Sequence, residues 1–299
     1  MNEKFRENRY VASSESEYTE LTRENREELK EELKESLPEL KKLFLEELES
    51  CPFISDNLID NIKDRVDEVN FNLINEIQKE HTGLFRGIYD FITDEIKLKE
   101  KANKGTIIHE LLHAVSSRLM NKKSLEEGEF KVLVGGLSPG IKLDLEKVDF
   151  DSEDEIKNFF EHPEYVRWLE EGVTDKFTRD IFGEEGSKNY DPYVYLLEAI
   201  QEEAGISDEE LAEAYFKPFK KSEQSEYNTE AISNFFSAIN ERYTSGIIFY
   251  IHVVLGYEYT PKEREEIDSI DKAKEFIEEV EKEYSDRSLT DLVEDLKQQ

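Results

Sequence analysis

Apolar positions recur at three- and four-residue steps over most of the chain, a spacing that predicts a largely helical protein. Leucines at helical spacing run from Glu20 to Glu49 and are interrupted at Pro38, which predicts two successive helices. Between Asp56 and Glu80, Leu58, Ile59, Ile62, Val66, Val69, Leu73, Ile74 and Ile77 form one apolar stripe and extend the helical region. The pattern then changes to short β-prone segments at 84–91 and 95–98, where a small antiparallel sheet is expected to begin. A helix is predicted from about Lys104 to Met120, followed by a hairpin whose strands, 130–134 and 141–145, flank the turn-forming run GGLSPG. Helical periodicity returns over 152–160, 163–182, 191–203, 207–217 and 228–242, and in two helices after Pro261.

These elements define an α+β protein, mostly helical, with the small sheet beside the 104–120 helix. Its expected divisions are a polar arm over 1–18, a helical region over 19–80, a sheet and helix subdomain over 81–150, and a helical subdomain over 151–299. The run GIIFYIHVVL, Gly246 to Leu255, is far shorter than the ~20 residues a membrane span needs and reads as a buried helix or strand.

Composition narrows the class of partner. Of 299 residues, 37% are hydrophobic and 37% charged, with 18 Phe and 14 Tyr, a globular rather than disordered balance. The formal charge of −33 opposes binding to nucleic acid or anionic membranes, both of which require Lys and Arg against phosphate. A lone cysteine, Cys51, excludes an intrachain disulfide and a multi-cysteine metal site, and reads as a small buried thiol. The N-terminal segment has no apolar signal core, so a cytoplasmic location is the expectation.

Candidate chemistry is concentrated in TIIHELLHAVSS. His109 and His113 stand four residues apart and emerge from one side of a helix, so two imidazoles can converge on one ion. Ile108, Leu111, Leu112, Val115 and Leu119 cluster on the other side, expected to face the core. Glu110 directly follows the first histidine, the position from which a carboxylate activates water rather than ligating. Catalytic zinc takes three protein ligands, and positions 116 and 119 are Ser and Leu, so no third histidine follows at the short spacing. A carboxylate is the remaining common choice. It is found 58 residues after His113 in WLEEGVTDKFT, where Glu171 is followed one helical turn later by Asp175. Glu170 is the adjacent alternative, but only Glu171 places Asp175 one turn ahead on the same face.

Over about residues 84–220, these motifs resemble those of the gluzincin metallopeptidases and look like a compact minigluzincin or peptidase-MA-like domain. The resemblance implies one Zn2+ ion held by His109, His113 and Glu171, with Glu110 as the general base. It also implies that Asp175 accepts a hydrogen bond from the outer ring nitrogen of a ligand histidine, most naturally His109. The strand before the active helix, Asp94, Glu95, Ile96, Lys97 and Leu98, is then the cleft rim that pairs with an extended peptide. Tyr193 and Tyr195 are the nearest candidates to stabilise the oxyanion, although the same aromatic helix also reads as core. The interval from His113 to Glu171 is longer than in thermolysin-like enzymes, and its hairpin is placed to shape, cover or inhibit the cleft.

The expected function is therefore zinc-dependent hydrolysis of peptide bonds in a peptide or protein substrate. A latent or catalytically inactive gluzincin-like zinc-binding scaffold is the second reading, and a helical interaction protein without metal is the third. His81, His162 and His252 stay outside the site in all three.

Overall fold

A computed structural model of the protein describes residues 23–73, 87–90, 95–98, 102–124, 128–135, 137–143, 167–183, 190–216, 230–244, 246–255 and 261–284. The expected N-terminal arm and the helix over 152–160 lie outside these residues.

Helix α1 (Arg23–Ser50) runs without a break through Pro38, where the sequence predicts two helices. A proline inside a helix removes one hydrogen bond. Here the half that follows it is anchored by Phe44 and Leu48, both fully buried, and Phe44 stacks on Phe182 with ring centroids 5.0 Å apart. Helix α2 (Asp56–Glu68) buries Leu58, Ile59, Ile62 and Val66 as the stripe requires. The stripe does not continue as helix. After Val69 takes an extended conformation, strand β1 (Asn70–Leu73) begins, and Asn70 and Asn72 are poor helix formers that alternate with Phe71 and Leu73 in a period-two pattern.

Strands β2 (Gly87–Asp90) and β3 (Glu95–Leu98) complete a three-stranded sheet of order β1-β3-β2. The sheet is mixed, not antiparallel as expected, because β1 joins β3 in parallel while β2 pairs with it antiparallel. Helix α3 (Lys104–Ser116) packs across β2 and β3. Its start is capped by Asn103, whose side-chain oxygen accepts the Thr106 N–H at 2.8 Å. It ends four residues before the expected Met120. Ser116 turns its hydroxyl back onto the His113 carbonyl at 3.2 Å, a local bond that competes with helix propagation, and β4 (Ser117–Ser124) follows at once. Strand β4 pairs with β5 (Gly128–Gly135), and β5 with β6 (Ser138–Leu143), so the expected hairpin gains a third strand.

The remainder is helical: α4 (Arg167–Phe182), α5 (Asp191–Ala204), α6 (Asp208–Phe216), α7 (Glu230–Arg242), α8 (Ile247–Val253), α9 (Pro261–Glu265) and α10 (Ile270–Tyr284). Gly205 closes α5 in the left-handed region at φ 67°. Ser207 and Glu210 then form a reciprocal capping box that starts α6. The GIIFYIHVVL run contains α8, with Ile247, Ile251 and Val253 buried. One continuous hydrophobic cluster links residues from Phe44 to Val280, and α3 and α4 lie within it. No helix among the described residues is long and apolar enough to cross a membrane.

Candidate metal centre

Helix α3 meets α4 along the face that carries the histidines. Ile108, Leu111, Leu112 and Val115 are at most 2% exposed, as expected of the opposite face. The histidine side does not open to solvent, however, because α4 packs against it and leaves His109 and Glu110 8% exposed each.

Three donor atoms converge there. His109 Nε2 lies 3.2 Å from Glu171 Oε2 and 3.2 Å from His113 Nε2, and His113 Nε2 lies 3.4 Å from Glu171 Oε2. A tetrahedral ion with bonds of about 2.0–2.1 Å keeps its donors about 3.3–3.4 Å apart, so the observed triangle fits such an ion without rearrangement. The three side chains are 11–13% exposed, so the group is largely buried. His109, His113 and Glu171 form a group that could hold a metal ion.

The surroundings are charged and buried. Burial opposes the charge on His113, but Glu170, Glu171 and Glu110 outweigh it and raise the imidazole to about 10 in the protein alone. Burial also raises the Glu110 carboxyl, against the opposing pull of His109 and His113. Glu110 Oε2 accepts the backbone N–H of Tyr89 at 2.7 Å, which ties the carboxylate to strand β2. Gly87, two residues earlier on β2, permits this approach, since a Cβ there would lie 3.0 Å from Glu110 Cγ and 2.9 Å from Thr106 Cγ2. Neither β2 residue carried a signal in the sequence, because one acts through its backbone and the other through the lack of a side chain.

Behind the donors, α4 supplies the support. Asp175, 1% exposed, places Oδ1 3.8 Å from His109 Nδ1, too far for a hydrogen bond but close enough to favour an Nδ1–H tautomer. Its Oδ2 accepts from Arg179 at 2.5 Å, and the same guanidinium reaches Asp191 at the start of α5 at 2.5 Å. Arg179 stands one helical turn beyond Asp175 on α4. Glu170, the alternative ligand, does not join the triangle, and its Oε2 accepts the Leu137 N–H at 2.9 Å. Gly172 lets α5 approach, since a Cβ there would lie 2.9 Å from the Tyr193 carbonyl oxygen.

Two expectations about the cleft change. Of the expected rim, Asp94 lies outside the described residues, and Glu95, Ile96, Lys97 and Leu98 form the central strand, paired with β1 on one side and β2 on the other. A strand hydrogen-bonded on both sides cannot accept a further chain, so this segment is not the rim. Among the described residues the edge beside Glu110 belongs to β2. Tyr193 stacks on Tyr190 with centroids 5.9 Å apart, and it is Tyr190 that stacks on His109, at 5.5 Å and 8°. Tyr195 is half-buried against the core. Comparison with known proteins finds no family model, curated protein or solved structure that matches the chain.

Proposed function

We propose that the protein is a zinc-dependent metallopeptidase in which His109, His113 and Glu171 hold one Zn2+ ion and Glu110 moves the proton. The convergence of two imidazoles and one carboxylate, with a second, non-ligating carboxylate alongside, carries this reading. Nitrogen and oxygen donors at tetrahedral spacing are the set that suits zinc, and a three-ligand set is the one that leaves a position for chemistry. When bound, zinc supplies Lewis acidity, which polarises a carbonyl oxygen and makes water easier to deprotonate.

Glu110 has the properties of a general base. Tyr89 N–H holds its Oε2, which leaves Oε1 to take a proton from the attacking water and pass it to the departing amine. Burial raises its carboxyl above the ordinary carboxylate range, which makes it a better proton acceptor than a free carboxylate. Because Tyr89 N–H points at Glu110, the main-chain groups of Tyr89, and by alternation those of Gly87, face away from β3. An extended peptide added to that edge would meet Glu110 at Tyr89, whose N–H it would have to share with or take from the carboxylate.

The second reading, a latent gluzincin-like zinc-binding scaffold, is favoured by one observation: Glu110 is 8% exposed and already bonded to Tyr89. Cleavage of a peptide library by the zinc-loaded protein separates the two. Activity lost on chelation and restored by one equivalent of zinc is expected; stoichiometric zinc without cleavage would favour the scaffold.

A further inference from the structure

Both histidines of the candidate centre turn their outer ring nitrogen toward a carboxylate of α4. Asp175 stands behind His109, and Glu170 Oε1 lies 3.9 Å from His113 Nδ1. Glu170 is 5% exposed, and its Oε1 is buried with no hydrogen-bond partner among the described residues. A buried carboxylate oxygen left unsatisfied is costly, and the His113 ring nitrogen stands within about 1 Å of satisfying it. The other oxygen is fixed by the amide of Leu137, at the turn between β5 and β6, whose side chain is 4% exposed within the core.

We propose that Glu170 is the positioning carboxylate of His113, and that the β5–β6 turn holds it in place through Leu137. This rests on the metal-site reading above. A histidine that ligates through Nε2 carries its remaining proton on Nδ1, and that N–H needs an acceptor to fix the ring. Thr174 Oγ1 is nearer, at 3.4 Å from His113 Nδ1; its hydrogen goes to the Glu170 carbonyl at 2.8 Å and it also meets Tyr215 Oη at 2.6 Å, so it is a neutral acceptor shared with Tyr215 and the competitor that Thr174→Val removes. Glu170 Oε1 has no such commitment, and a shift of about 1 Å closes its gap to hydrogen-bond distance. The three-stranded hairpin sheet thereby becomes part of the metal centre, because loosening its turn releases the carboxylate that orients a ligand.

The test uses the full chain as wild type, Glu170→Gln, Leu137→Gly, Thr174→Val and the Glu170→Gln/Leu137→Gly pair. Zinc affinity is measured by competition with a chromophoric chelator, and the His113 Nδ1 proton of the zinc-loaded protein is followed by NMR. Glu170→Gln is expected to weaken zinc binding about 10-fold or more and to move the His113 Nδ1 resonance while leaving that of His109 in place. Leu137→Gly should weaken binding in the wild-type background and add less than twofold once Glu170 is Gln. Glu170→Gln binding zinc within twofold of wild type, or a larger Nδ1 shift in Thr174→Val, overturns the assignment. Equal losses from Leu137→Gly in both backgrounds overturn the role of the turn. Should Glu170→Gln fail to fold, Leu137→Gly must lose affinity while Thr174→Val keeps it, and the reverse order overturns the proposal. A wild type that binds no zinc overturns the metal-site reading as well, whereas tight binding by both wild type and Glu170→Gln overturns this proposal alone.

Discussion

Gly87→Ala tests whether β2 sets the position of Glu110. The added methyl would lie 2.9 Å from Thr106 Cγ2, 3.0 Å from Glu110 Cγ and 3.1 Å from Leu98 Cδ2. Carbon atoms in a packed interior rest about 3.5–4.0 Å apart, so each neighbour must yield by about half an ångström or more. Leu98 is 1% exposed and Glu110 8%, so neither has free space to enter. Overpacking of this kind costs about 1–3 kcal/mol. Urea unfolding, followed by circular dichroism on the metal-free protein, should show a loss in that range with an unchanged slope. The displacement falls on Glu110 and not on the three donors, so zinc affinity should stay within about threefold of wild type. Peptide turnover should fall about 100-fold, the usual consequence of moving a reacting group by about an ångström. Unchanged stability, or loss of zinc with turnover per bound zinc intact, would refute the argument.

The supporting groups give further predictions. Asp175→Asn removes the charge behind His109 and leaves Arg179 with Asp191, so zinc affinity should drop about 10–100-fold in chelator competition, and a change under twofold would contradict the role. His113 is raised to about 10 in the folded protein, so its protonation stabilises the metal-free state fully below about pH 6.5, and that contribution is lost as pH rises toward 10. Zinc takes the neutral ring, so zinc-induced stabilisation should grow with pH between about 6.5 and 9 in thermal melts, and a flat difference would contradict the electrostatics. Isothermal titration at pH 7.5 in buffers of different ionisation enthalpy should register proton release on zinc binding, and none would count against the same account.

Much of this arrangement was readable from residue spacing because helices make spacing into geometry. The four-residue step from His109 to His113 and the pairing of Glu171 with Asp175 needed only a helical period, and the structure brings His109, His113 and Glu171 together. The helices expected over 191–203, 207–217 and 228–242 fell close to those bounds, and the first two meet at strong signals, Gly205 and the Ser207–Glu210 box. What failed was decided by contacts distant in sequence. The stripe that began in α2 carried a period-two stretch at Asn70–Leu73 that becomes a strand only because β3 is there to pair with it. Pro38 did not end α1 because Phe44 and Leu48 are buried beyond it. The order β1-β3-β2, which removes Glu95–Leu98 from the rim, follows from a parallel pairing that local pattern does not encode. Tyr89 and Leu137 reach the centre through backbone amides, which no side-chain motif can register.

The central claim is that Glu110 moves the proton at a zinc centre it does not help to hold. Glu110→Gln keeps the shape of the side chain and removes its basicity, so zinc content and peptide-library cleavage should be measured together on wild type and variant. One zinc per chain in both, with cleavage present in wild type and reduced by at least about 100-fold in the variant, is the predicted result. Equal cleavage by the two proteins, or loss of zinc from Glu110→Gln, would contradict it.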